Sequence, residues 1–167
     1  TDTATITVNV GDINEAPGAG DATVSLSEDA ANGTAVATAS ATDVDAGDTA
    51  SWAITAGNDD GVFTIDAGTG AITVADNSSL NYEATTSYSL TVEVTDAGGL
   101  TDTATITVNV GDVNEAPSAI SDNDAGANTV NENVANGTTV GITALSVDPE
   151  SAAITYSLTD DAGGRFA

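Results

Sequence analysis

From Thr103 to Val110 the chain alternates, with Ala104, Ile106, Val108 and Val110 on one side and Thr103, Thr105, Thr107 and Asn109 on the other. A period of two marks a strand with one face buried and one face in water. Tyr88, Leu90, Val92 and Val94 repeat the pattern over 87–95, and DAGGLTD (96–102) between the two runs reads as a Gly-rich hairpin turn. Further strand-like runs at 22–27, 34–41, 50–56, 62–65 and 71–75 are separated by the turn signals NGT, DAGD, GNDDG and DAGTG. No helical periodicity competes with them. Seven short strands in about 100 residues predict an all-β, immunoglobulin-like Greek-key sandwich.

The pattern also repeats over a longer distance. Residues 1–17, TDTATITVNVGDINEAP, and 101–117, TDTATITVNVGDVNEAP, differ only at Ile13 against Val113. Each copy is followed by a second echo: SEDAANGTAV (27–36) answers NENVANGTTV (131–140), and DVD (43–45) answers DPE (148–150). Trp52 in SWAIT then answers Tyr156 in TYSLT. Tandem domains produce such self-similarity, and chance does not. The expected organisation is the last strand and linker of a preceding repeat (1–17), one complete repeat (18–117), and the first half of a following repeat (118–167). The first residue is Thr1 and no signal-peptide pattern is present, so a mature or excised piece of a longer chain is expected.

Composition narrows the chemistry. The chain holds 26 Asp+Glu against one Lys or Arg (Arg165), with no His, Cys or Met, for a formal net charge of −25. Nucleic-acid binding needs a cationic surface, and none can be built here. Disulfides, thiolate zinc sites, Ser-His-Asp triads and imidazole acid–base catalysis are all excluded. No apolar run reaches the length of a membrane span. What remains is carboxylate, amide, hydroxyl and carbonyl oxygen, the ligand set of a hard cation such as Ca²⁺. No enzymatic activity is expected.

If each strand runs from pole to pole, the acidic residues sort by position. Glu28, Asn81 and Glu83 fall at one pole, beside the linker residues Asp112, Asn114 and Glu115. Asp43, Asp45 and Asp96 fall at the other. Asp148 and Glu150, at the entry pole of the next repeat, would close over the first set. An odd number of strands puts the termini at opposite poles, so such domains string end to end. Like charges converging without a basic neighbour repel unless a cation intervenes.

These residues resemble cadherin repeats, in the form found in large bacterial surface proteins of the RTX/adhesin type. The family's D-x-N-D-N-x-P linker is similar to DINEAP (12–17) and DVNEAP (112–117). Its upstream glutamate resembles Glu28, and Glu132 in the third repeat. Its L-D-x-E and D-x-D motifs resemble Leu80-Asn81-Tyr82-Glu83 and Asp43-Val44-Asp45. Its F-x-I-D-x-x-T-G-x-I and Y-x-L-x-V-x-A-x-D segments are similar to 63–72 and 88–96, with Val94 in place of alanine. The resemblance implies Ca²⁺ at the junctions. Asp12, Asn14 and Glu15 would act with Asp43, Asp45 and Asp96 at the first. Glu28, Glu83, Asp112, Asn114 and Glu115 would act with Asp148 and Glu150 at the second. The linker is one residue shorter than the family's, Asn81 replaces an acidic ligand and Glu150 replaces an Asp, which implies fewer ions per junction than the family holds.

Blander readings stand beside these. Part of the charge can be a solvated surface, as at Asp59, Asp60, Asp160 and Asp161. Asp48, Asp66, Asp76 and Asp102 read as turn residues capping their own backbone. The row Thr101, Thr103, Thr105 and Thr107, copied at 1–7, is explained by β-propensity, against an ice- or glycan-binding array. Asn32-Gly33-Thr34, Asn77-Ser78-Ser79 and Asn136-Gly137-Thr138 fit the glycosylation pattern but also simple turns. Trp52, Phe63, Tyr82 and Tyr88 are expected in the core. The resemblance implies a secreted, cell-surface adhesin segment whose partners are neighbouring repeats of the same long chain. Two alternatives remain: a module binding polysaccharide, a cell-surface ligand or another copy, and a Ca²⁺-independent acidic spacer.

Overall fold

A computed structural model describes residues 1–45 and 47–167. It divides into two compact units, Thr1–Val113 and Asn114–Ala167. The division therefore falls inside the second linker, four residues before the expected boundary at 117.

Unit 1 is a sandwich of two sheets. Strands β1 (Gly18–Ala19), β2 (Ala22–Ser27), β3 (Ala35–Thr38), β4 (Ala41–Thr42), β5 (Ser51–Ala56), β6 (Phe63–Ile65), β7 (Ala71–Val74), β8 (Ser87–Thr95) and β9 (Thr101–Gly111) follow in chain order. One sheet has the order β2-β9-β8-β5 and the other β3-β7-β6, while β1 and β4 form a short antiparallel pair. The predicted runs become strands with bounds shifted by a residue or two, and the 34–41 run is interrupted between β3 and β4. The hairpin at 96–100 joins β8 to β9 as its glycines suggested. β2 pairs with β9 in parallel, Ser27 opposite Gly111, so both strands finish at one pole.

The alternation sets the packing. Leu90, Val92 and Val94 of β8 and Ile106 and Val108 of β9 are fully buried, in one core with Val62, just before β6, and with Phe63, Ile72 and Val74 of the second sheet. Trp52 and Tyr88 are buried in the core and Tyr82 packs against that core, as expected of scarce aromatics. Phe63 meets Tyr88 edge to face with centroids 5.1 Å apart, and the Tyr88 hydroxyl donates to the Ser79 carbonyl at 2.9 Å. Gly57 has φ +80°, and a Cβ there would fall 1.9 Å from the Ser89 carbonyl oxygen, so only glycine lets β5 leave the sheet at that point.

The first copy of the repeated segment behaves differently from the second. Residues 101–111 are a central strand, whereas no strand forms in 1–17, where Ile6, Val8 and Val10 are 85%, 80% and 93% exposed. The sequences are almost identical, so the difference lies in the neighbours. β9 has β2 and β8 on its two edges, and residues 1–11 have no strand to pair with among the described residues. Unit 2 is similarly sparse. It holds only the antiparallel pair β10 (Ser121–Asp122) and β11 (Ala144–Leu145), supported by Ser146 Oγ donating to the Ser118 carbonyl at 2.5 Å. A strand needs partners to satisfy its backbone, and alternation alone does not supply them.

This contrast gives a test within one molecule. Ile106→Ala should destabilise unit 1 by about 2–5 kcal/mol in chemical denaturation. The sequence-equivalent Ile6→Ala should change it by less than about 0.5 kcal/mol.

Candidate metal centre

The parallel pairing of β2 with β9 builds the lower pole. The Glu28 N–H continues the ladder to the Gly111 carbonyl at 3.1 Å, which sets Glu28 beside Asp112. Glu28 is buried, and its two carboxylate oxygens accept the N–H groups of Tyr82 (2.7 Å) and Val113 (2.6 Å). The segment carrying Tyr82 is itself fixed by buried Leu80, and it brings in Glu83. One carboxylate oxygen each from Glu28, Glu83 and Asp112 lies within 4.8 Å of the others. Asn81, expected at this pole, is engaged locally instead, its side-chain oxygen accepting the Ala84 N–H at 2.7 Å.

The upper pole gathers the loop after β4, the β8–β9 hairpin and the first linker. Asp43, Asp48 and Asp96 also bring one oxygen each within 4.8 Å. Asp96 is buried; its Oδ1 accepts the Leu100 N–H at 2.7 Å and its Oδ2 accepts the Asn14 amide at 2.8 Å. Burial pushes the Asp96 carboxyl up, but hydrogen bonds from Asn14, Leu100, Gly99 and Gly98 outweigh it and hold it below the usual range. Asp43 accepts the Asp45 N–H, and Asp45 accepts the Glu15 N–H, at 2.9 and 2.8 Å. Glu15 is pushed up by burial first and then by the charges of Asp45 and Asp12. Asp12 lines a cleft with Asn14, Asp45 and Asp48.

Unit 2 repeats part of the upper arrangement within itself. Asn114 donates to the Glu115 carbonyl at 3.1 Å, as Asn14 does to Glu15 at 3.3 Å. The Glu115 N–H donates to Glu150 Oε1 at 2.8 Å, the same bond that Glu15 makes to Asp45. Glu150 is held down to about 2, first by the hydrogen bond from the Glu115 side chain and then by the Glu115 N–H. Glu150 Oε2 is buried with no hydrogen-bond partner. Asp148 is buried and its Oδ1 accepts the Ala152 N–H at 3.0 Å.

Turn chemistry accounts for other acids. Asp66 accepts the N–H groups of Gly68 and Thr69 and the Thr69 hydroxyl, and Asp76 caps the 3₁₀ turn Asn77–Ser79. These bonds lower both carboxyls, led for Asp66 by the Thr69 hydroxyl and for Asp76 by the Ser78 N–H. Asp102 differs from the expected self-capping: it accepts the Ala19 N–H at 2.8 Å and ties β9 to β1. Asp48 does both jobs. Its Oδ1 accepts the Thr49 and Ala97 N–H groups, yet its carboxylate joins Asp43 and Asp96. Its sequence signal was the spacing D-x-D-x-x-D in one loop at a pole.

The donor set fits a hard divalent cation. Unit 1 contains no Lys, Arg or His to neutralise either cluster. Every side-chain donor in the clusters is a carboxylate or amide oxygen. Two carboxylates about 4 Å apart repel by about 1 kcal/mol even in water, and by more where solvent is excluded.

Comparison with known proteins gives concordant results. Residues 22–111 match the family described as Cadherin domain. Human Protocadherin Fat 1 is 40% identical over 122 residues, covering 69% of this chain and 3% of that protein. The Drosophila melanogaster Protocadherin-like wing polarity protein stan is 39% identical over 142 residues, covering 81% of this chain and 4% of that protein. The chain thus spans a small fraction of these relatives. Among solved structures, Protocadherin Gamma B2 extracellular cadherin domains 1-5 superposes with a TM-score of 0.61 at 29% identity, covering 83% of this chain and 27% of that one. Drosophila N-cadherin EC1-4 shares the fold, with a TM-score of 0.59.

The lower pole separates structural from electrostatic roles. In chelator, Glu28→Ala should cost unit 1 about 1–3 kcal/mol, because two backbone N–H groups lose their acceptor. Glu83→Ala should leave stability unchanged or raise it, because it relieves repulsion. Chemical denaturation of both variants checks the pair.

Proposed function

Since the chain belongs to the cadherin family, we propose that it is a Ca²⁺-binding segment of an extracellular adhesion protein. In this reading Ca²⁺ bound where one repeat follows another stiffens the array. The observation that carries it is the pair of carboxylate clusters at opposite poles of one repeat. Each is prearranged by backbone hydrogen bonds, and unit 1 supplies no Lys, Arg or His to balance them. Asp43, Asp48 and Asp96 with the linker residues Asp12, Asn14 and Glu15 would hold ion at the upper pole. Glu28, Glu83 and Asp112 would hold it at the lower. Asn114 and Glu115 of the second linker, with Asp148 and Glu150 of the next repeat, are the corresponding ligands. Residues 1–17 are then the closing strand and linker of the repeat before.

Near-identical tandem copies and a net charge of −25 support placement in a long, repetitive surface adhesin of the bacterial type. The expected partners are neighbouring repeats and, through other parts of the array, cell-surface ligands. The chemistry offers Ca²⁺ a structural role and no catalytic one: it neutralises the clustered carboxylates and ties segments that would otherwise repel. An ion that binds the folded state alone also stabilises it, by about 2.7 kcal/mol at a free concentration 100-fold above Kd.

Calcium added to chelated protein should raise the thermal midpoint and increase the maximum dimension in small-angle scattering. Asp112→Ala combined with Glu115→Ala should remove the second effect while leaving most of the first. A melt and a scattering profile both indifferent to calcium would favour the ion-independent acidic spacer.

A further inference from the structure

Two turns carry the same residues, Ala31-Asn32-Gly33-Thr34 in unit 1 and Ala135-Asn136-Gly137-Thr138 in unit 2. They also share a shape. Gly33 and Gly137 both sit at φ +88°, and in each turn the threonine N–H donates to the alanine carbonyl, at 3.0 and 3.2 Å. Both asparagines are exposed. The surroundings differ. In unit 1 the Gly33 N–H donates to the Val74 carbonyl of β7 at 2.7 Å, and Asn32 Oδ1 accepts the Asn77 N–H at 2.8 Å. In unit 2 neither the Gly137 N–H nor the Asn136 side chain has a hydrogen-bond partner among the described residues.

An asparagine followed by glycine is open to attack by its own backbone. The glycine nitrogen gives its proton to solvent base and adds to the asparagine Cγ. A new C–N bond forms, the Cγ–Nδ2 bond breaks, and the amide nitrogen leaves as ammonia. Water then opens the cyclic imide to aspartate or isoaspartate, with no change of oxidation state. Glycine favours the step because it has no Cβ to crowd the nitrogen. Ring closure needs a nitrogen released from its acceptor and a side-chain carbonyl free to turn onto it. Val74 opposes the first at Gly33, and Asn77 opposes the second at Asn32. Neither restraint acts on Asn136 and Gly137.

We infer that Asn136–Gly137 is a self-modification site, and that Asn32–Gly33 is the same site held closed by β7 and the turn at Asn77. Protection then belongs to the folded repeat and not to the local sequence. A repeat that opens along β7 frees its asparagine, and conversion leaves a permanent extra negative charge in the loop after Glu28. No ion ligand takes part, so the inference is independent of the proposed calcium function.

Peptide mapping by mass spectrometry during incubation of the full chain in mildly alkaline buffer tests this, with isoaspartate quantified by enzymatic methylation. Asn136 should convert at least about tenfold faster than Asn32, the protection that two hydrogen bonds give. Across a denaturant titration the Asn32 rate should climb through the unfolding of unit 1 to meet the Asn136 rate. Asn77→Pro removes the donor to Asn32 Oδ1 at a position that suits proline, the first of a 3₁₀ turn after extended Asp76. It should speed Asn32 several-fold and leave Asn136 unchanged. Equal rates in the folded chain would overturn the inference. So would an Asn32 rate that stays low in denaturant, which would place the protection in the sequence, or one that Asn77→Pro does not move.

Discussion

Backbone N–H groups donated into carboxylates hold the two poles of unit 1 in shape. Glu28 receives Tyr82 and Val113; Asp96 receives Leu100 and, through its side chain, Asn14; Asp45 receives Glu15. Each bond fixes a loop to a strand end, and an ionised acceptor makes it stronger. The fold is therefore built on negative charge that it cannot neutralise from its own side chains. Satisfied amides explain why the carboxylates stay close together. Their repulsion explains why a cation would be welcome.

The same donors organise the sandwich. The parallel β2–β9 register brings Glu28 to Asp112, and the antiparallel β8–β9 hairpin delivers Asp96 to the opposite end. Between the poles the core is thin and aliphatic, with one edge-to-face aromatic pair, so the loops at the ends rely on polar contacts more than on packing. The acids at Asp66 and Asp76 show the contrasting case, in which a carboxylate is spent entirely on its own turn.

Much of this was legible from residue order. Alternation located β8 and β9 almost to the residue, because each alternate residue had to face one apolar layer. Strand parity assigned Glu28 and Glu83 to one end and Asp43 and Asp96 to the other, since direction reverses at every turn. Two features were not legible. Residues 1–11 carry the pattern of β9 but form no strand, because pairing depends on neighbours that a pattern does not record. Asp48 reads as a turn residue and is one, yet its carboxylate still reaches Asp43 and Asp96.

In the proposed reading these poles would lie where successive repeats meet, which would turn an electrostatic liability within one repeat into a means of controlling a string of them. The account stands or falls on whether a cation occupies the prearranged clusters. A crystal structure grown with calcium, with the ions located by their anomalous scattering, tests this most directly. The account predicts ions bound by Glu28, Glu83 and Asp112 and by Asp43, Asp48 and Asp96. Calcium-soaked crystals showing both clusters at the same spacing with no ion in either would contradict it.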